Sequence, residues 1–249
     1  MKQTHVVLIH GAWFHRSSLQ GWAQRFTSYG FAVRIPAWPL EDLGLAALTT
    51  HYEKIVRSYD NPPVLIGHSA GGLIAQQLLG AGLGRAAIAV APLPGDGIPL
   101  SNASCQPGGW RLDSGRLPLT LFRHIVANAV GEAEAVQLFE RYAVPAPRRL
   151  LADLGLDCLA IGSADTVVNM ANPARGPLLL ISGQEDRMVS DAVTRSVYKL
   201  YGDSPAVTDL KQFADRGHSL VFDSGWRSVA DHVLTWLAAN GIAAMTAED

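Results

Sequence analysis

The sequence predicts an α/β protein: a mainly parallel sheet of about six strands flanked by helices, with a helical segment inserted between two core strands. Three observations carry this expectation. Short runs rich in Val, Ile and Leu recur along the chain, and they are continuously apolar rather than alternating. Helix-like patterns lie between them. Continuous apolar runs suit strands covered on both faces, which is the condition of a parallel sheet. Strand–helix alternation supplies the crossovers that such a sheet needs.

The strand candidates, in order, are Val6 to Ile9, Ala32 to Ile35, Val64 to Ile66, Ala87 to Val90 and Leu178 to Ile181, with a weaker one from Val207 to Phe213. Helical patterns run over Ser17 to Tyr29, Leu45 to Tyr59, Ala70 to Leu79, Asp191 to Tyr201 and Trp226 to Asn240. Residues 93–172 break the rhythm. No convincing strand occurs there, the start is rich in Pro, Gly and Ser, and helical stretches follow around Leu117 to Val130, Glu132 to Tyr142 and Pro147 to Ile161. So long a connection exceeds an ordinary βα loop. The expected organisation is a core of residues 1–92 and 173–249 with a helical cap over residues 93–172.

Composition removes several function classes. The chain has 249 residues, 48% hydrophobic and 17% charged, which is incompatible with a disordered protein. Twenty basic residues oppose twenty-two acidic ones without a basic stripe, so no nucleic-acid partner is expected. No apolar run reaches the roughly 18 residues of a membrane span. Arg85 interrupts the best central candidate, and Asp153 and Asp157 the next. The N-terminus lacks a signal-peptide pattern. The two cysteines, Cys105 and Cys158, make neither a disulfide framework nor a zinc cluster. A cytoplasmic protein without metal or cofactor is the expectation.

The chemistry starts at Gly67-His68-Ser69-Ala70-Gly71. This Gly-x-Ser-x-Gly follows an apolar run and opens a helical pattern, the setting in which a serine sits on a sharp, strained turn with its hydroxyl lifted toward substrate. The helix N-terminus beneath favours developing negative charge. A serine hydroxyl needs a base. On this architecture the base follows the serine in the chain, and only three of the eight histidines do: His124, His218 and His232. His124 lies in the inserted segment, and His232 lies within the terminal helical pattern. His218 follows the last strand candidate in a loop that would reach the C-terminal edge of the sheet. Asp186, in the loop after Leu178 to Ile181, is the expected orienting acid. Glu185 and Asp165 are alternatives, and Asp215 is too close to His218 in sequence.

With His10-Gly11-Ala12-Trp13 after the first strand, these motifs resemble the α/β-hydrolase superfamily over nearly the whole chain outside the inserted segment. The short start, the His-Gly-Ala-Trp loop and the cap look closest to its esterase and hydroxynitrile-lyase group. The resemblance implies a Ser69–His218–Asp186 triad, with the backbone N–H groups of Ala12 and Ala70 as oxyanion donors. The lyase branch carries Thr after the first His and Lys after the catalytic His; here those positions hold Gly11 and Ser219, which counts against cyanohydrin cleavage. Dehalogenases and epoxide hydrolases of this fold need Asp where Ser69 stands.

The function expected is a serine hydrolase cleaving a small, apolar carboxylic ester or lactone through an acyl-enzyme. Cofactor-free carbon–carbon cleavage, cyclisation or peroxidation on the same triad is the alternative, followed by a receptor-like binding protein. Trp13, Phe14, His68 and Met188 are the residues expected to line the substrate pocket. A cap face is equally suited to packing on the core and to forming a homodimer.

Overall fold

The structure, a computed structural model, describes residues 2–39, 41–95, 98, 115–156 and 164–246. Cys105, Cys158 and residues 96–97 and 99–114 of the expected cap lie outside the described residues, as does the end of its third helical stretch. The first elements are β1 (Lys2–Gln3), β2 (His5–Ile9), α1 (Gln20–Ser28), β3 (Ala32–Arg34), α2 (Leu45–Arg57), β4 (Val64–His68), α3 (Ala70–Gly80) and β5 (Ala86–Val90). Then follow α4 (Leu119–Ile125), α5 (Glu132–Tyr142), α6 (Arg148–Asp153), β6 (Leu178–Gly183), α7 (Asp191–Leu200), β7 (Thr208–Phe213), α8 (Trp226–Ala239) and β8 (Met245–Thr246).

Six strands form one wholly parallel sheet in the order β3-β2-β4-β5-β6-β7. Every residue of β4, β5 and β6 is buried, as the continuous apolar runs require. β7 is half-buried throughout, because it closes an edge, which explains why its apolar signal is weak. Among the described residues, the chain between β5 and β6 holds α4, α5, α6 and a short 3₁₀ turn, Ala164–Thr166, and no strand. The antiparallel pair β1–β8, which sets Lys2 and Gln3 beside Thr246 and Met245, leaves no pattern of its own in the sequence.

Chain order and strand order together fix the layers. From β2 the chain moves outward to β3, then returns past β2 to β4 and continues to β7. Right-handed crossovers therefore place α1 on one face, where it packs on α8, and α2, α3 and α7 on the other. The direction of winding reverses between β2 and β4. At such a switch point the loops beyond the two carboxyl ends separate and leave a crevice. The loops that leave β2 and β4 there are His10-Gly11-Ala12 and His68-Ser69-Ala70.

Candidate active site

Ser69 occupies the turn between β4 and α3 with φ 57° and ψ −120°, a conformation that costs a residue with a side chain about 1–3 kcal/mol. The surroundings impose it. Ser69 N–H donates to the Val90 carbonyl at 3.0 Å, and its own carbonyl accepts from Gly72, Leu73 and Leu93. The flanking glycines are forced by contact: a Cβ on Gly67 would lie 2.0 Å from the Gly71 carbonyl oxygen, and one on Gly71 2.2 Å from that of Ile9. A Cβ on Gly11 would lie 3.0 Å from Ser69 Cβ, so the bare Gly11 lets the β2 loop pass directly beside the serine. Ser69 Oγ is buried and has no hydrogen-bond partner among the described residues. Ala12 and Ala70 are buried.

His218 and Asp186 meet at the same crevice from two further loops. His218 Nδ1–H donates to Asp186 Oδ2 at 2.8 Å, with both side chains inaccessible to solvent. The other oxygen, Oδ1, accepts the backbone N–H groups of Met188 and Val189, each at 2.8 Å. Three donors thus hold one carboxylate in a single orientation. The bond to Asp186 fixes the proton on Nδ1 and leaves Nε2 as the acceptor. That nitrogen, like Ser69 Oγ, is buried without a partner. The two atoms are not hydrogen-bonded to each other in this structure.

Two more histidines crowd the site, and both are held neutral. His68 is buried with its ring 4.8 Å from that of His218, and its Nε2–H donates to the His218 carbonyl at 2.9 Å. Burial pushes its pKa well below the usual 6.5, and the neighbouring His218 adds to the effect. Burial likewise lowers His10 to about 4. Its Nδ1–H donates to the Gly11 carbonyl at 3.0 Å, and its ring stacks on Trp38 at 4.4 Å.

The remaining residues expected at the pocket are all buried. Phe14 packs between His68, at 5.4 Å, and Phe222, at 5.0 Å. Trp13 directs its indole N–H to the Gly115 carbonyl, and its own carbonyl accepts from Val144, tying the β2 loop to the helical segment. Met188 touches the site through its backbone N–H on Asp186.

Other candidates fall elsewhere. Glu185 points to solvent beside the buried Asp186. Asp165 is exposed, and its carbonyl accepts from Gln77, two turns along α3 from Ser69. His124 is exposed next to Arg187, and His232 packs edge-on against Phe213. One residue escaped the sequence reading. Asp223 is buried and accepts from Ser219 Oγ, Arg216 and Gly225 N–H, closing the loop that carries His218. Burial raises its pKa. The available signal was a carboxylate directly after the apolar triplet Leu220-Val221-Phe222, with Arg216 and Ser219 upstream. Among the described residues, no group of His, Cys, Asp or Glu is arranged to hold a metal, and no helix is long and apolar enough to cross a membrane.

The model of one protein family, described as the alpha/beta hydrolase family, matches residues 6–232. No curated protein matches the chain. Among solved structures, a methylesterase from Arabidopsis superposes with a TM-score of 0.66 at 16% identity, covering 95% of this chain and 99% of that one. A monoacylglycerol lipase from Paleococcus ferrophilus gives 0.69 at 18% identity over 95% and 94% of the two chains. A lipase-esterase related protein from Clostridium acetobutylicum gives 0.71 at 13% identity over 93% of each. At these identities the likeness is one of fold.

Proposed function

The chain belongs to the alpha/beta hydrolase family, and from that premise we propose that it is a serine hydrolase of carboxylic esters or lactones. The observation that carries the reading is the buried Asp186–His218 pair, whose free Nε2 shares the β2–β4 crevice with an unpartnered hydroxyl on a strained turn. The esterases and lipases of similar fold support it. Ser69 Oγ attacks the ester carbonyl carbon and passes its proton to His218 Nε2. Asp186 holds the resulting imidazolium in place. The carbonyl oxygen gains negative charge and is met by the N–H groups of Ala12 and Ala70, donors worth on the order of 3 kcal/mol each. Collapse breaks the C–O bond, and the alcohol leaves with the proton from His218. Water, deprotonated by the same nitrogen, then attacks the acyl-Ser69 ester and releases the carboxylic acid.

Residues 93–172 act in this reading as a cap, joined to the β2 loop through Trp13, Phe14 and His15. The test is turnover of p-nitrophenyl acetate and butyrate, with mass-spectrometric mapping of a fluorophosphonate adduct. Hydrolysis and a single adduct on Ser69 are expected. Absence of both turnover and labelling would overturn the reading.

A further inference from the structure

A cavity of about 490 Å³ lies against the β2 loop, between that loop, the segment after β3 and the stretch after α5. Its volume falls in the range of small-molecule sites. Most of its wall is apolar, contributed by Ala12, Phe14, Trp38, Val144, Pro145 and Pro147. Its rim carries Arg16 and Arg148 against Glu41 and Asp42, all exposed, so the formal charges cancel and nothing there selects an ion. Within the wall one buried polar side chain stands out, His10.

The chemistry of His10 is fixed by its neighbours. A carbonyl oxygen can only accept, so the 3.0 Å contact with Gly11 places the ring proton on Nδ1. Nε2 is then an acceptor, and among the described residues nothing donates to it. Trp38 covers one ring face at 4.4 Å and lines the cavity beside His10. Burial keeps the ring neutral down to about pH 4, so the acceptor persists across the working range.

We propose that His10 is the hydrogen-bond acceptor of a ligand subsite that takes a neutral, mainly apolar group carrying one hydroxyl or amide N–H. Ala12 belongs both to this wall and to the proposed oxyanion site, so the group bound here is the part of the substrate next to the reacting carbonyl. That last step rests on the hydrolase reading; the subsite itself does not. A site with one buried acceptor discriminates against ligands that lack the donor, because their binding strands it.

The test compares 4-propylphenol with 4-propylanisole, identical except that a methyl group caps the hydroxyl. Ligand NMR titration of the wild-type chain should show the phenol binding roughly tenfold more tightly. His10→Phe should bring the ratio to about one, whereas Trp38→Leu should weaken both ligands alike. A second readout needs no variant: the ¹⁵N resonance of His10 Nε2 should shift upfield with the phenol and stay unmoved with the anisole. Equal affinities in the wild type, an unshifted ¹⁵N resonance, or a preference that survives His10→Phe would each overturn the proposal. None of these measurements needs turnover, so loss of the hydrolase reading is a separate result, scored by the p-nitrophenyl esters and the Ser69 adduct.

Discussion

His68 donates its Nε2–H to the backbone carbonyl of His218 at 2.9 Å, so the residue before the nucleophile is bound to the loop that carries the base. The bond is buried and spans 150 positions of sequence. It makes the elbow and the base one rigid unit. His68→Leu strands that carbonyl, and stability should fall by about 1–3 kcal/mol in urea unfolding. The kcat for p-nitrophenyl butyrate should fall more than KM changes. His68→Gln, which can restore a donor, should recover most of the kcat; no difference between the two variants would refute the positioning role.

Ser69 is held at a positive φ by the Val90 and Leu93 hydrogen bonds and by the glycines around it. Ser69→Gly should therefore gain stability, by about 1 kcal/mol once strain relief is offset by the extra freedom of glycine in the unfolded chain. Ester turnover should vanish in both Ser69→Gly and Ser69→Ala. Activity within tenfold of wild type in Ser69→Ala would remove the nucleophile assignment.

Asp186→Asn keeps an oxygen for the Met188 and Val189 N–H groups but turns an amide N–H₂ toward His218 Nδ1. The imidazole must then carry its proton on Nε2, where the base needs a lone pair. Turnover should drop by up to roughly 10⁴-fold. Asp165→Asn, on the exposed turn beside Gln77, should remain near wild type in the same assay at pH 8. The reverse order would move the acid to the earlier loop.

Gly71→Ala drives a Cβ to 2.2 Å from the Ile9 carbonyl oxygen, which belongs to a buried strand and cannot yield. The expected cost is about 3 kcal/mol or more, read as a lower urea midpoint, with loss of turnover. Gly131→Ala meets nothing within 4 Å at the start of α5, where φ is −64°, and should change stability by no more than about 0.5 kcal/mol.

The buried histidines set an acid limit. His10 has a folded pKa of about 4 against the usual 6.5, so the unfolded chain takes up its proton first as pH falls. Its stabilising contribution is complete above about pH 6.5 and is lost progressively down to about pH 4, a change of about 3 kcal/mol. His68 shifts in the same direction and adds to the loss. Urea titrations at pH 7.5, 5.5 and 4.5 should show this decline, and His10→Phe should flatten part of it. An equally steep decline in that variant would show that His10 is not its source.

Much of the architecture is local chemistry and can be read along the chain. Runs such as Val64 to Ile66 and Leu178 to Ile181 become fully buried central strands, because no alternative conformation hides so many consecutive apolar side chains. The elbow is equally legible, since only glycine fits at 67 and 71 and the spacing records that. By elimination and loop position the sequence also singles out His218 and Asp186 as the base and acid to test. What it does not contain is the set of contacts made across 100 or more positions. The His68–His218 bond and the anchoring of Trp13 on Gly115 depend on which loops the strand order brings together. The half-polar strand β7 and the β1–β8 pair owe their conformation to neighbours rather than to their own pattern. Hydrophobic periodicity records which face of an element is buried. It carries no information about which partner buries it, and here that choice, made at the β2–β4 switch point, assembles the crevice.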